Sequence, residues 1–394
     1  MTDSSAITSQ SSSIPSSRIY SVDMLRGVVM IIMALDHVRE YWSQTPFRPE
    51  DLTQTDVPLF FTRWITYFCA PIFVFLSGIG VYLYGRKVNS LRAVSKYLLT
   101  RGLWLVVLEV VVVSFLLQFG YNFIIIQVIW VIGWGMILLA GLIWLPRWAL
   151  IAFVALLICG HNLFLDVPAA DNFFLAMLHN SPFVFFTSSL PPLLFSYVLI
   201  PWVAVLALGY LIGAWYDKSV EQQRTLFRIS GISLLIFFVV LRALNVYGDP
   251  VPWSVQPRGL AYTFLSFVSV LKYPPSLLFL SLTLGSGMLM LSFFYKNPGR
   301  IGKFVLTFGK VPMFYYLLHI PLIVGSAVIW AWIAFDKFTI VAFSSSMKEF
   351  PSDYAPSLLR AYVVWVVVML ILYFPCRWYA RYKSSHRYWW LTYL

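Results

Sequence analysis

The chain has 394 residues, of which 60% are hydrophobic and 11% charged, and its mean hydropathy is +0.79. Soluble domains carry about 25% charged residues, so this composition excludes an ordinary soluble protein and predicts an all-α, multi-pass bundle in a lipid bilayer. The net charge of +12 does not indicate a nucleic-acid partner, because the basic residues cluster in the loops between apolar segments.

The chain begins with a Ser-rich polar tail, 1–17, which we expect to be disordered and cytoplasmic. Residues 18–394 are predicted to form a single transmembrane domain. Apolar runs of about 20 residues mark its spanning helices, because that length crosses the hydrocarbon core. We predict ten spans: 20–42, 58–84, 97–118, 122–145, 148–165, 192–215, 228–246, 275–295, 311–335 and 356–379.

Charge alternates between successive loops. The positive-inside rule places the basic set in the cytoplasm, so both termini are predicted to be cytoplasmic, which fits an even number of spans. The basic loop residues are Arg86, Lys87, Arg92, Lys96, Arg101, Arg147, Lys218, Arg224, Arg228, Lys296, Arg300, Lys303, Lys310, Arg377, Arg381, Lys383 and Arg387. The acidic residues of the opposite loops are Glu50, Asp51, Asp56, Asp166, Asp171, Asp249, Glu349 and Asp353.

Two long segments on the acidic side, 166–191 and 247–275, are broken by prolines and are too polar to span. We expect each to form a re-entrant or capping segment over a site.

The first span carries ionisable residues, which are costly in hydrocarbon and are usually functional or paired there. Asp23, Arg26 and His37 fall on one helical face, and Arg26 and His37 are separated by about 16 Å of helix rise. Asp23 and Arg26 form either a structural ion pair or a phosphate-binding group. His37 is either a packed histidine or a functional imidazole. Asp36 points about 100° away from His37, so Glu40 and Tyr41 are better placed beside His37.

Later spans add three more candidates. Arg63 begins the second span at the level of His37. Glu109 lies deep in an aliphatic helix, where it either pairs with an arginine or orients a histidine. His319 is either a buried neutral histidine bonded to backbone or a second imidazole facing the same cavity.

Two motifs now identify a resemblance. The pattern SVDxxRGxxxxxM at 21–33, followed by FxxRxxTxxxAPxFVFLxG at 60–78, resembles the catalytic domain of heparan-α-glucosaminide N-acetyltransferase and its bacterial relatives. The segments KYPPSLL at 272–278 and FGKVPMFYYLLH at 308–319 are also similar to the bacterial branch. The resemblance implies a transmembrane acyltransferase of the bacterial inner membrane that takes acetyl-CoA from the cytoplasm. The acetyl group would go to an amine or hydroxyl of an extracytoplasmic sugar or glycan.

The chain departs from the lysosomal enzyme at one point. An asparagine there matches His37, and the active histidine lies in the following loop, whereas residues 43–57 of this chain contain no histidine. His37 is therefore the imidazole predicted for this corner, either as a general base or as a carrier of the acyl group.

These expectations give a set of site residues. We predict no metal site, and whether the chain forms a homo-oligomer stays open. The predicted catalytic residues are His37, Arg63, Glu109 and His319; those binding the donor are Arg26, Arg101 and Lys310; and those binding the acceptor are Asp36, Tyr41 and Lys272.

Two other hypotheses remain. A transporter or flippase for an anionic or lipid-linked solute would use the same buried charges as a substrate pathway, and a non-catalytic scaffold would leave them scattered. An acyltransferase predicts that Arg26, His37 and Arg63 border one cavity.

Overall fold

The structure is a computed structural model that describes residues 20–164, 172–179, 184–186, 191–295, 298–336 and 353–393. The Ser-rich tail, 1–17, lies outside these residues. So do four of the charged loop residues used to predict the topology, which are Asp166, Asp171, Lys296 and Glu349.

Helices dominate the described residues, as the apolar runs predict. Short 3₁₀ and π segments, Ile65–Phe68 and Leu108–Val113, make continuous rods of α2 with α3 and of α4 with α5. The α-helices are α1 Tyr20–Trp42, α2 Val57–Trp64, α3 Cys69–Val88, α4 Leu91–Val107, α5 Ser114–Gln118, α6 Val128–Leu142, α7 Arg147–Gly160, α8 Phe173–His179, α9 Trp202–Gly213, α10 Val220–Leu244, α11 Leu260–Val268, α12 Leu277–Phe293, α13 Arg300–Gly309, α14 Pro312–Phe335 and α15 Leu358–Ser385.

Six helical segments of the described residues are long and apolar enough to cross a membrane. They are Val57–Val88, Leu91–Gln118, Arg147–Phe164, Val220–Leu244, Pro312–Phe335 and Leu358–Ser385. Three shorter apolar helices, Val128–Leu142, Trp202–Asp217 and Leu277–Phe293, correspond to three more of the predicted spans. The tenth predicted span is α1, which is long but carries several charged residues.

A small sheet departs from the all-α prediction. The strands β1 Ile124–Ile126, β2 Val184–Phe186 and β3 Leu193–Phe195 lie in the order β1-β3-β2, with β1 and β3 parallel and β2 and β3 antiparallel. The sequence predicts helix from 122 and from 192, and both starts are wrong. Three consecutive isoleucines favour a strand at β1, and the prolines at 191 and 192 disfavour helix before β3.

Close packing fixes α1 against α13 and α3 against α9. A Cβ added at Gly309 would clash with the carbonyl oxygen of Asp23, and one added at Gly78 would clash with that of Leu206. Small residues let helix backbones approach closely in a membrane. Gly78 therefore marks a close contact between α3 and α9. Helix α1 also packs against α3, α12, α14 and α15 and lies at the centre of the bundle.

The 247–275 segment is held by one buried ion pair. Arg242 donates hydrogen bonds to the carbonyl oxygens of Val251, Ser266, Phe267 and Ser269 at 2.7–3.0 Å. Its Nη1 lies 3.6 Å from the carboxylate of Asp249.

Asp249 in turn connects the two ends of this segment. It accepts hydrogen bonds from the Leu271 amide and the Ser276 hydroxyl at 2.8 and 2.7 Å. These bonds position Lys272 and the start of α12.

Candidate active site

Two cavities lie side by side along α1. Their volumes are about 270 and 340 Å³. We call the first the histidine cavity, because His37 lines it, and the second the basic cavity, because four arginine and lysine residues line it. Four residues line both cavities and are called the neck: Met33, Phe73, Val128 and Tyr316.

The histidine cavity joins residues that are far apart in the sequence. Five predicted site residues line it, namely Asp36, His37, Tyr41, Arg63 and Lys272. Helix α1, the α2–α3 rod, the sheet and the end of the 247–275 segment all contribute to its wall. The 247–275 segment, which we expect to be re-entrant or to cap a site, contributes Lys272 and Tyr273 to this wall.

Arg63 is held between two carboxylates. Its Nη1 donates to both carboxylate oxygens of Asp36 at 2.7 and 2.6 Å, and its Nε donates to Glu50 at 2.9 Å. Asp56 caps α2 by accepting the Leu59 amide at 2.7 Å, and Arg63 lies in the last turn of that helix. Arg39 adds a second cation 3.2 Å from Asp36.

Glu50 lies in the loop between α1 and α2 and fixes that loop to the bundle. Its Oε1 accepts hydrogen bonds from Arg63 and from the Tyr67 hydroxyl, at 2.9 and 3.0 Å. Burial alone would raise the pKa of this carboxyl, but the Arg63 charge and its hydrogen bond outweigh burial and lower the pKa from its ordinary value. The loop therefore depends on an ionised Glu50.

His37 faces Glu40, one turn further along α1. The His37 Nδ1 lies 3.4 Å from Glu40 Oε2, which is within ion-pair range but longer than an ordinary hydrogen bond. The sequence favours Glu40 and Tyr41 over Asp36 as neighbours of His37, and Glu40 is the carboxylate that comes within ion-pair range of its ring. The His37 Nδ1 is buried and has no hydrogen-bond partner among the described residues.

His319 lies against His37 and is fully buried. The two ring centroids are 5.3 Å apart. The His319 Nδ1 lies 2.7 Å from the Tyr316 carbonyl oxygen, which assigns the proton to Nδ1. Its Nε2 is buried and has no hydrogen-bond partner among the described residues. His319 lines neither cavity, so it reaches the site through His37.

Lys272 is a buried cation at the cavity wall. Its side chain is 6% exposed, and its Nζ lies 5.5 and 5.0 Å from the ring centroids of Tyr67 and Tyr273. An ammonium above aromatic faces is attracted to them. Tyr41 also lines the cavity, but its hydroxyl donates its proton to the Leu117 carbonyl at 2.9 Å.

The basic cavity contains the three residues predicted to bind the donor. Arg26, Arg101 and Lys310 line it, and Lys383 from the last turn of α15 joins them. Arg26 also forms the predicted ion pair with Asp23 at 3.1 Å. The expectation that Arg26 shares a cavity with His37 is wrong, because eleven residues of helix rise separate the two and the neck lies between them.

Glu109 lies outside the lining of both cavities. It is fully buried at the start of the π segment, and its polar neighbours are the backbone amides of Gln127, Ile129 and Trp130. Those amides begin α6, whose positive dipole end favours a carboxylate. Among the described residues, Glu109 has no arginine or histidine partner of hydrogen-bonding geometry.

Sequence reasoning missed several contributors. The sequence analysis used Glu50 and Lys383 only to predict the topology. In the structure, Glu50 bonds Arg63 and Lys383 lines the basic cavity. Their partners lie 13 or more residues away in the chain, so no local spacing could reveal them. The described residues contain no group of three or more His, Cys, Asp or Glu side chains that could hold a metal ion.

Comparison with known proteins identifies the family. The profile described as "Heparan-alpha-glucosaminide N-acetyltransferase, catalytic" matches residues 18–247, which is more than half of the chain. This match includes α1, the α2–α3 rod and therefore most of the histidine cavity. A comparison with curated proteins gives no significant match. Six long apolar helical segments indicate a membrane protein, and the chain belongs to the heparan-α-glucosaminide N-acetyltransferase catalytic family.

Proposed function

We propose that this protein moves an acetyl group from cytoplasmic acetyl-CoA to an amine or hydroxyl of an extracytoplasmic sugar or glycan. The observation that carries the proposal is the pair of cavities that meet at the neck. One is basic and the other contains an imidazole beside a carboxylate. A reaction between substrates from opposite sides of a membrane needs two such chambers.

The proposed topology has ten spans, both termini in the cytoplasm, and residues 18–394 as one transmembrane domain. The positive-inside rule supports this orientation, because three residues of the basic cavity, Arg101, Lys310 and Lys383, belong to the basic set that it places in the cytoplasm. Packing of α1 against α13, α14 and α15 supports a single domain, since the first and last helices share one interior. The resemblance to bacterial relatives favours the bacterial inner membrane.

The basic cavity is the proposed donor site. Coenzyme A carries phosphates that arginine and lysine bind through charge-assisted hydrogen bonds. Arg26, Arg101, Lys310 and Lys383 supply these cations. Apolar side chains such as Leu105 and Ile132 line the same cavity and would contact the thioester arm. The acetyl group would then reach the neck, where Met33 lies about 10 Å along α1 from Arg26.

His37 is the proposed general base. Its Nε2 takes a proton from the attacking amine or hydroxyl while that nitrogen or oxygen bonds to the acetyl carbonyl carbon. The carbon–sulfur bond then breaks, and His37 returns the proton to the thiolate, which leaves as coenzyme A. The Glu40 carboxylate, 3.4 Å from Nδ1, stabilises the imidazolium that forms, and His319 packs against the ring and fixes its position.

Transfer through an acyl-histidine intermediate also accounts for every bond and proton. In that case His37 Nε2 attacks the thioester first, and the acceptor removes the acetyl group in a second step. The two routes differ in one observable result, because only the relay leaves labelled acetyl on the protein when no acceptor is present.

The other polar groups of the histidine cavity would bind the acceptor. Lys272 and Glu40 present one cation and one carboxylate to the cavity. Asp36 and Arg63 neutralise each other, so we assign them to positioning the wall around the acceptor. The hydroxyl of Tyr41 is engaged by Leu117, and its ring serves as a packing surface. Glu109 is assigned to stabilising the start of α6.

The test uses purified protein in liposomes, with radiolabelled acetyl-CoA outside or inside and glucosamine as the acceptor. We expect acetylglucosamine to form, His37→Ala to abolish its formation, and Arg26→Ala to raise the dissociation constant of acetyl-CoA. His179→Ala is the control, because His179 lines neither cavity. Normal transfer by His37→Ala would contradict the catalytic role. Movement of solute across the liposome without acetyl transfer would support a transporter instead.

A further inference from the structure

Lys272 is a cation of the histidine cavity that has no carboxylate partner among the described residues. The residue is only 6% exposed and lines the cavity, yet it belongs to none of the ion pairs formed within that part of the chain. Its ammonium lies near the rings of Tyr67 and Tyr273 instead. Burying an ammonium without an anion is costly, and aromatic faces offset only part of that cost.

The nearest charged groups of the wall already balance one another. The Asp36 carboxylate lies 2.6 Å from Arg63 and 3.2 Å from Arg39. Arg63 also bonds Glu50 at 2.9 Å. This group therefore contains two guanidinium groups and two carboxylates, and its charges cancel. Asp36 has two closer cations, so it does not serve as the counter-ion of Lys272.

Glu40 is the remaining carboxylate in the lining of the histidine cavity. It lies 3.4 Å from the His37 ring and 3.8 Å from Arg39, and these contacts turn it toward other residues of α1. The protein thus holds Lys272 at the cavity wall without neutralising it. A charge kept in this state is suited to an occupant of the cavity that brings its own anion.

The size of the cavity limits where that anion can be on the occupant. Lys272 and His37 line the same space of about 270 Å³. Pockets for drug-sized ligands begin at about 300 Å³, so this cavity suits a ligand no larger than one sugar unit. The group that contacts Lys272 and the group that reacts beside His37 must therefore belong to the same unit.

We propose that the acceptor is an acidic sugar, in which the unit that receives the acetyl group also carries a carboxylate or a phosphate that binds Lys272. This inference rests on the proposed function, because it names the class of acceptor for that reaction. A lysine ammonium is a compact point charge that binds either anion through charge-assisted hydrogen bonds. A neutral sugar would leave the ammonium unpaired, so the same contact also gives selectivity.

The test measures equilibrium binding of three sugars to the full-length protein in nanodiscs. Glucosamine has no acidic group, muramic acid adds a carboxylate, and glucosamine 6-phosphate adds a phosphate. All three carry the same amine. The variants are Lys272→Met, which removes the charge, and Lys272→Arg, which keeps it. Lys303→Met is the matched control, because Lys303 is an exposed lysine of α13 that lines neither cavity.

We expect at least one acidic sugar to bind the unmodified protein about tenfold or more tightly than glucosamine, as one hydrogen-bonded charge pair would give. Lys272→Met should lose this preference, whereas Lys272→Arg and Lys303→Met should keep it. Tighter binding of muramic acid would identify the anion as a carboxylate, and tighter binding of glucosamine 6-phosphate as a phosphate. Acetyl-CoA binding by Lys272→Met shows that the variant is folded.

Two results would overturn the inference. One is equal binding of the three sugars, or a preference that survives in Lys272→Met. The other is a preference that Lys310→Met removes and Lys272→Met does not, which would place the anion in the basic cavity.

Acetyl transfer measured on the same preparations separates this inference from the proposed function. Acetylation of glucosamine with no preference for acidic sugars would contradict the inference alone. Binding of an acidic sugar that depends on Lys272, with no acetylation of any of the three, would contradict the proposed function alone.

Discussion

At the scale of single residues, the wall of the histidine cavity depends on one guanidinium shared by two carboxylates. Arg63 bonds Asp36 of α1 through Nη1 and Glu50 of the following loop through Nε. A lysine has no fixed fork of donors and could not make both contacts in this geometry. A buried charge that loses its partner is strongly destabilising. The three residues therefore act as one unit that holds the loop against the cavity.

The lowered pKa of Glu50 gives this unit a pH dependence. A carboxyl whose pKa is lower in the folded state adds stability above its ordinary pKa, and that stability is lost as the pH falls through the lowered value. Glu50→Gln should therefore lower the melting temperature at neutral pH, and its difference from the unmodified protein should shrink on acidification. Melting curves between about pH 3 and 7 measure this.

Glu221→Gln is the control for this prediction. Glu221 is exposed in the first turn of α10, and no arginine contact ties it to the cavity wall. Its effect on the melting temperature should be small at every pH. A Glu50→Gln difference that stays constant across the pH range would contradict the linkage to Arg63.

At the scale of elements, the 247–275 segment shows how a proline-rich connection acquires a fixed shape. Four backbone carbonyls bond to Arg242, and Asp249 bonds backbone and hydroxyl groups at the far end. Unpaired backbone groups at membrane depth are costly, and these side chains satisfy them. Lys272 reaches the histidine cavity because this scaffold holds it there.

Removing the arginine should loosen the whole segment. Arg242→Ala leaves the Asp249 carboxylate and the four carbonyls without their shared partner, so we expect a loss of about 3 kcal/mol of stability. Thermal unfolding of the detergent-purified protein measures it. Arg228→Ala, an exposed arginine of the same helix, should change little. An equal loss for the two variants would contradict the role of Arg242.

The elements differ in how well the sequence predicts them. Long apolar runs predict most helices well, so all six segments that are long and apolar enough to cross a membrane fall on predicted spans, and the predicted bounds of α1 match the helix. The sheet could not be predicted in this way, because its strands have only three residues each. They also pair residues that are far apart in the sequence, such as Ile124 with Leu193. The sequence also places Asp36 and Arg63 at a similar depth in the predicted membrane. It cannot show that they bond, because 27 residues separate them in the chain.

At the scale of the whole molecule, the two cavities divide the predicted site residues by chemistry. All three residues predicted for the donor line the basic cavity, and all three predicted for the acceptor line the histidine cavity. The sequence predicts this division from the charges of the residues and from positions along α1. The neck could not be foreseen, because Met33, Phe73, Val128 and Tyr316 come from four different helices.

A bulky side chain at the neck should separate binding from transfer. Val128→Trp fills the space between the cavities, so acetyl-CoA should bind with nearly unchanged affinity while the transfer rate falls at least about tenfold. Binding and single-turnover transfer measured on the same preparation test this. Val112→Trp, an exposed position on the π segment outside both linings, is the control. Full transfer by Val128→Trp would mean that the acetyl group takes another path.

The close contact between α1 and α13 has a mechanical consequence. Gly309 meets the backbone at Asp23, Gly27 meets the backbone at Val305, and Arg26 donates to the Gly309 carbonyl. Backbones in direct contact cannot slide or roll over each other without a clash, so α1 and α13 must move together. An alternating-access carrier must move one half of its bundle against the other. The contact between α1 and α13 is not a surface along which two such halves could move, and in the proposed reaction it would hold His37 in a fixed position.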